Sequence, residues 1–234
     1  MPNYDIVLFD ADETLFDYVR AAKAALNTTL IRYGLPCPAD VWERYQRWNH
    51  EVWEKFERGE MEKSRLQTER FRLLFGELSV SADLEEFNRD YKEKLSEGGY
   101  ALPGAEELCR ALAPFCRLYI VTNGFTYTQE RRMERSPLKQ YIRKMYISEQ
   151  VGFQKPRKEY FDAVLNDIGV SKENRVILLG DSLTSDMQGG INAGITTCWY
   201  HPEGEEKTQL PIDYEIQRLE QFVPIVLGSE REAL

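Results

Sequence analysis

The chain has 234 residues, enough for one large domain or one domain carrying an insert; 42% of them are hydrophobic, which allows a real core, and 29% are charged. With 30 basic against 39 acidic residues the formal charge is -9, which argues against a binder of nucleic-acid polymers, whose affinity comes from clustered Lys and Arg. An acidic protein that handles phosphate has to neutralise it locally, with a metal or a few placed cations. No apolar run approaches the roughly 18 residues of a membrane span, and the segment Met1 to Asp5 lacks a signal peptide's basic and apolar regions. Cys37, Cys109, Cys116 and Cys198 form no CxxC pair, so neither a zinc site nor a disulfide framework is expected, and the compartment expected from this cysteine usage is a reducing cytoplasm with no membrane partner.

In chain order, the first predicted element is Ile6 to Phe9, a short continuous apolar run that breaks sharply into Asp10-Ala11-Asp12-Glu13-Thr14. A run without alternation reads as a strand covered on both faces. From about residue 17 to residue 97 no strand-like run occurs; the stretch is rich in Glu, Arg, Lys and aromatics, has helical periodicity throughout and ends at Gly98-Gly99. It reads as a helical insert, with the chain returning near Tyr100. Leu118 to Val121, Val176 to Leu179 and Thr196 to Tyr200 are further strands, and Met145 to Ser148 is a weaker one. Tyr160, Phe161, Val164, Leu165 and Ile168 mark one face of a helix. A short strand near Tyr214 and a helix around Leu219 to Val226 close the series. Strands alternating with helices predict an α/β fold, a parallel, doubly wound sheet, with the helical segment inserted after its first strand.

In such sheets ligands sit beyond the carboxyl ends of the strands. Asp10 and Asp12 follow the first strand, Thr122-Asn123-Gly124 another, and Gly180-Asp181 a third, with Asp186 a turn later; Lys155 lies just before the amphipathic helix. Singly these residues read as helix caps, turn formers or a solvated lysine. Together they suit one phosphoryl-transfer task. Carboxylates a few ångströms apart repel by about 4 kcal/mol per pair at an effective dielectric near 20, and a divalent cation is the simple remedy. The available ligands are all oxygens, which points to a hard ion such as Mg2+. Asp10 suits a nucleophile shielded by that ion, and Asp12 a general acid and then base. Lys155 and the Thr122 hydroxyl suit the phosphoryl oxygens, with Pro156 restricting the Lys155 backbone.

At these residues, Asp10-Ala-Asp12-Glu-Thr14, Thr122-Asn123, Lys155-Pro156 and Gly180-Asp181-Ser-Leu-Thr-Ser-Asp186, the sequence resembles the haloacid dehalogenase superfamily of hydrolases. The resemblance spans the whole chain, because the insert matches that family's helical cap. It implies a core of residues 1–16 and 98–234 and a cap of residues 17–97. It also implies that Asp10 forms an aspartyl-phosphate, that Asp12 is the acid/base, and that Thr122 and Lys155 bind the phosphoryl group. Mg2+ would be held by the Asp10 carboxylate, the Asp12 carbonyl and Asp181, with Asp186 supporting. One departure is Glu13, where many members have glycine. The strings Asp-Ala-Asp-Glu-Thr-Leu-Phe, Thr122-Asn-Gly-Phe125 and Gly189 to Trp199 look like the branch of pyrimidine 5'-nucleotidases, which implies a small phosphomonoester, a nucleotide, as substrate.

Substrate choice is expected in the cap, which carries Trp42, Tyr45, Trp48, Trp53 and Phe56 at helical spacing. Two readings stand: packing of the cap's own core, or Trp48 or Trp53 reaching over the site beside Asn49 to stack on a base whose edge Asn49 reads. Asn123 is a further candidate substrate contact, and His50 a sugar or base contact or a surface residue. Arg131, Arg132 and Arg135, on the helix after Thr122, read as a solvated face. Of the competing functions, a haloalkanoate dehalogenase needs neither metal nor Asp12; a sugar-phosphate phosphatase or phosphomutase shares the core residues and differs only at the branch motifs. A non-catalytic phospho-acceptor switch is about half this length with a mid-chain acceptor.

Overall fold

The computed structural model describes residues 2–171, 175–204 and 207–228. Its elements run in the order strand β1 (Ile6–Phe9), helices α1 (Tyr18–Arg32), α2 (Val41–Glu57), α3 (Lys63–Leu78), α4 (Leu84–Leu95) and α5 (Ala105–Leu112), strand β2 (Arg117–Thr122), helix α6 (Thr126–Arg135), strand β3 (Lys144–Ile147) and the single turn α7 (Ser148–Val151). Helix α8 (Lys158–Ile168), strand β4 (Val176–Gly180), helix α9 (Gln188–Ala193), strands β5 (Thr196–Tyr200) and β6 (Tyr214–Ile216), and helix α10 (Phe222–Leu227) complete it. They gather into two compact units, one formed by the chain up to Asp17 and from Gly99 onward, the other by Tyr18–Gly98.

The first unit is built on a six-stranded sheet in the order β3-β2-β1-β4-β5-β6, with every pairing parallel. It is the doubly wound α/β fold that the alternating elements predict. Side chains alternate across the sheet. Val7 and Phe9 join Leu118, Ile120, Ile177 and Leu179 on one face, under Leu108 and Leu112 of α5 and Phe222 and Val226 of α10. Ile6 and Leu8 join Tyr119, Val121 and Leu178 on the other, under Tyr160, Phe161 and Val164 of α8. Because both faces are covered, apolar residues occupy consecutive positions, which is why the strands read as unbroken runs. Burying each such side chain contributes about 1.5–3 kcal/mol. β1 lies between β2 and β4, so the chain departs from it in both directions, and the carboxyl ends of these strands open at the point where ligands of such sheets bind.

Where the chain leaves and rejoins this unit, the two passing segments are tied together. Phe16 bridges antiparallel to Ala101, Asp17 N–H donates to the Tyr100 carbonyl at 3.0 Å, and Leu102 N–H donates to the Leu15 carbonyl at 2.8 Å.

The second unit consists of α1 to α4 around Leu26, Leu30, Trp42, Tyr45, Phe71, Leu74, Phe75, Phe87 and Tyr91. Helix α4 shows why its sequence is helical: the Asp83 carboxylate accepts the Glu86 N–H, Glu85 and Glu86 occupy the first turn, and Lys92 and Lys94 the last, each placed to suit the helix dipole. All four cysteines are free thiols. No helix among the described residues is long and apolar enough to cross a membrane.

Candidate active site

The site grows from the ends of three adjacent strands. β1 is fully buried and delivers Asp10, whose N–H still bonds the Leu179 carbonyl at 2.8 Å. The next turn folds back on itself. The Ala11 carbonyl accepts the Leu15 and Phe16 N–H groups, and Glu13, at φ 58°, is left-handed. That conformation explains why glycine suits position 13. β2 ends at Thr122, and β4 at Gly180, followed by Asp181 and a π-helical turn, Leu183–Met187, that carries Asp186. Wide turns of this kind recur at functional sites. Gly180 makes the approach possible, since a Cβ on it would lie 2.4 Å from Asp186 Cγ.

Asp10, Asp181 and Asp186 each bring a carboxylate oxygen within 4.8 Å of the others. Lys155, 1% exposed, reaches this cluster from the loop before α8. Its ammonium donates to Asp10 Oδ1 at 2.5 Å, Asp186 Oδ1 at 2.6 Å and the Val121 carbonyl at 3.0 Å, so all three protons are engaged. The Thr14 hydroxyl donates to Asp181 Oδ1 at 3.1 Å, and Ser182 N–H to Asp186 Oδ2 at 3.2 Å. Burial pushes the Asp10 carboxyl up to about 8, with the Lys155 ammonium pulling against it and the Asp186 carboxylate adding to it. Burial, together with the Asp10 and Asp186 charges, likewise pushes Asp181 well above the usual carboxylate range. Lys155 is held above its ordinary range: burial opposes its charge, and Asp10 and Asp186 outweigh that opposition.

This donor set fits a hard divalent cation. Three carboxylates against one ammonium leave two negative charges, equal and opposite to those of such an ion, and no His or Cys joins the group.

Asn123, expected among the substrate contacts, has a different place. Its Nδ2 donates to the Lys155 carbonyl at 2.9 Å and its Oδ1 accepts the Lys155 N–H at 2.9 Å. Both polar ends of the side chain therefore clamp the backbone that carries the cation. Thr122 Oγ1 accepts the Gly124 N–H at 3.0 Å and Gln129 Nε2 at 3.1 Å.

Asp12 stands apart from the carboxylate cluster, its side chain 31% exposed. Its Oδ1 accepts Arg132 Nη1, and its Oδ2 accepts Gln129 Nε2 at 2.8 Å. Arg132 corrects the expectation of a solvated arginine face: Arg135 is exposed and Arg131 half-buried, but Arg132 is 1% exposed and paired with Asp12. Gln129 and Arg132 are the residues that sequence reasoning missed. The signal available was their i, i+3 spacing on the helix that follows Thr122.

In the second unit, Trp42, Tyr45 and Phe56 are buried, in keeping with the packing reading. Trp48 is half-buried, and its indole N–H donates to Glu77 at 2.7 Å. Asn49 Oδ1 accepts Arg70 Nη1 at 3.0 Å and the Tyr45 hydroxyl at 3.3 Å. Trp53 is half-buried and edge-on to Phe56, with ring centroids 5.7 Å apart. His50 is exposed, 3.5 Å from Glu54.

The model of the haloacid dehalogenase-like hydrolases matches residues 7–200. The chain belongs to that family. YfnB of Bacillus subtilis (strain 168) is 35% identical over 227 residues, 97% of either chain. Its crystal structure, described as bound to magnesium, superposes with a TM-score of 0.90 over 95% of this chain and 98% of that one. YjjG of Escherichia coli (strain K12), named a pyrimidine 5'-nucleotidase, is 34% identical, covering 88% of this chain and 90% of its own. PynA of Streptococcus pneumoniae (strain ATCC BAA-255 / R6), also named a pyrimidine 5'-nucleotidase, is 34% identical over 91% of each.

Proposed function

We propose that the protein is an Mg2+-dependent phosphatase of nucleoside 5'-monophosphates, pyrimidine ones foremost, acting in the cytoplasm through an aspartyl-phosphate intermediate. The observation that carries this reading is the grouping of Asp10, Asp181 and Asp186 around the Lys155 ammonium, with Asp12 held separately beside them. The names of YjjG and PynA support the nucleotide, and the magnesium described for YfnB supports the ion.

Asp10, Asp181 and Asp186, with the Asp12 carbonyl, would hold the ion, which when bound supplies charge neutralisation for the carboxylates and the phosphoryl oxygens. Asp10 attacks phosphorus. The bond to the ester oxygen breaks as Asp12 gives that oxygen a proton, and the nucleoside leaves as its alcohol. Asp12 then takes a proton from a water that attacks the same phosphorus, which frees Asp10 and inorganic phosphate. The Thr122 hydroxyl donates to the phosphoryl oxygens, Lys155 turns one of the protons it gives to Asp10 and Asp186 toward them, and Asn123 fixes the Lys155 backbone. The helical unit, Tyr18–Gly98, is proposed as the cap that selects the leaving group, with Trp48 or Trp53 stacking on the base and Asn49 reading its edge.

The test is phosphate release with Mg2+ across nucleoside 5'-monophosphates, sugar phosphates and an aryl phosphate, with Asp10→Asn as blank. Pyrimidine monophosphates are expected to lead by about tenfold or more, ~1.4 kcal/mol of transition-state discrimination, with the blank silent. A flat profile, or a sugar phosphate in the lead, removes the nucleotidase reading; release by Asp10→Asn removes the nucleophile.

A further inference from the structure

Helix α6 turns two large polar side chains inward. Gln129 and Arg132 are each 1% exposed, and burying a guanidinium costs free energy that an apolar residue of similar volume would not. Their spacing of three puts them on one face of α6, and that face meets Asp12. Arg132 Nη1 takes Oδ1, Gln129 Nε2 takes Oδ2, and Arg132 Nη1 also donates to Gln129 Oε1 at 3.1 Å. The same Gln129 amide nitrogen donates to Thr122 Oγ1 at 3.1 Å. The backbone around the pair is fitted to it: a Cβ on Gly124 would lie 2.4 Å from Gln129 Nε2, and one on Gly99 would lie 2.6 Å from the Arg132 carbonyl oxygen.

A carboxyl gripped on both oxygens by neighbours from one helix cannot spin about its own axis. Each oxygen still has a second acceptor direction, and the side chain remains 31% exposed, so one edge stays open to a substrate. We propose that Gln129 and Arg132 are positioning residues for proton delivery: they fix the plane of the Asp12 carboxyl so that its open edge meets the leaving oxygen, and the Gln129 amide ties that plane to Thr122. The inference rests on the reading of Asp12 as the acid. In the step concerned, the proton moves from Asp12 to the ester oxygen while the oxygen's bond to phosphorus breaks. The electron pair of that bond stays on the leaving alcohol, and Asp10 forms the new bond to phosphorus.

Leaving groups differ in how much they need that proton. A nucleoside 5'-oxygen leaves as a strongly basic alkoxide unless protonated, whereas 4-nitrophenolate leaves unaided. The experiment compares kcat/KM for a nucleoside 5'-monophosphate and for 4-nitrophenyl phosphate in wild type, Arg132→Met, Gln129→Met and Asp12→Asn. The expected result is a loss of about 100-fold on the nucleotide, and of less than about threefold on the aryl ester, in both α6 variants. Asp12→Asn is expected to follow the same pattern in kcat/KM, which reads only the steps up to release of the alcohol, while its kcat falls on both substrates because Asp12 also takes the proton of the attacking water. Equal losses on both substrates in the α6 variants, with Asp12→Asn still selective, would overturn the positioning role alone. If Asp12→Asn also loses both substrates equally, the acid reading of Asp12 fails and the inference falls with it. Should Arg132→Met not fold, Gln129→Met decides.

Discussion

Glu13 occupies a left-handed backbone position, φ 58°, one residue after Asp12, where a side chain other than glycine costs about 1–2 kcal/mol. The turn tolerates Glu because its N–H bonds Phe16 and the loop closes around the Ala11 carbonyl. A β-branched residue there is expected to be worse. By chemical denaturation, Glu13→Val should fall about 1–2 kcal/mol below Glu13→Gly, and equal stabilities of the two variants would contradict the strained conformation. At this same scale the site was unevenly legible. Asp10, Asp12, Asp181 and Asp186 are legible as a set because they gather just beyond the ends of apolar strands, and Lys155, in the loop before α8, is legible only as a member of that ordered series. Arg132 did not stand out. Helix α6 reads TYTQERRMER, polar on nearly every side, and its inward residues are Thr128, Gln129, Arg132 and Met133. With no apolar stripe to say which face is buried, composition alone assigned the arginines to water.

Among elements, the π-helical turn after β4 has the tightest local demand. Gly180 ends the strand where the Asp186 carboxyl returns against it, and the same carboxyl holds the Lys155 ammonium at 2.6 Å. A methyl group at position 180 must push Asp186 outward. Misplacing a reacting or binding group by ~1 Å can cost about 100-fold in rate, so Gly180→Ala is expected to lose about that much kcat while its near-UV circular dichroism stays that of the wild type. Retention of full activity would show that Asp186 need not sit where it does. Strands were read most clearly at the sheet's centre. β1 and β4 are covered on both faces, whereas β3 lies at one edge, with Lys144 exposed and paired with Asp167. That leaves it only a short apolar run, which is why it read as the weakest strand. Edge strand β6, with Tyr214 and Glu215 exposed, carries a weak pattern for the same reason.

Over the whole molecule the formal charge is -9, and three of the acidic residues meet beside one lysine. Without a cation this concentration of charge opposes folding. Mg2+ at about 100 times its dissociation constant would stabilise the folded state by ~2.7 kcal/mol, and in a chain of this size each kcal/mol moves Tm by about 2–4 °C. A rise of roughly 5–10 °C is therefore expected on adding Mg2+, reversed by chelator. Asp181→Asn should raise the metal-free Tm, because one repelling charge is gone, and should shrink the Mg2+-dependent rise. If the substitution leaves both quantities unchanged, the ion is not bound among these carboxylates.

The antiparallel stem that joins Phe16 to Ala101 and Asp17 to Tyr100 gives the architecture a modular character. Departure and return of the helical unit occupy facing positions, so to the sheet the whole excursion has the footprint of a hairpin. Segments between such closely spaced ends can be lengthened, shortened or exchanged at little entropic cost, and strand register need not shift. Descendants of this chain are free to rewrite what lies beyond the stem while the turn from Asp10 to Phe16 stays as it is, so novelty and chemistry can evolve at separate rates within one polypeptide.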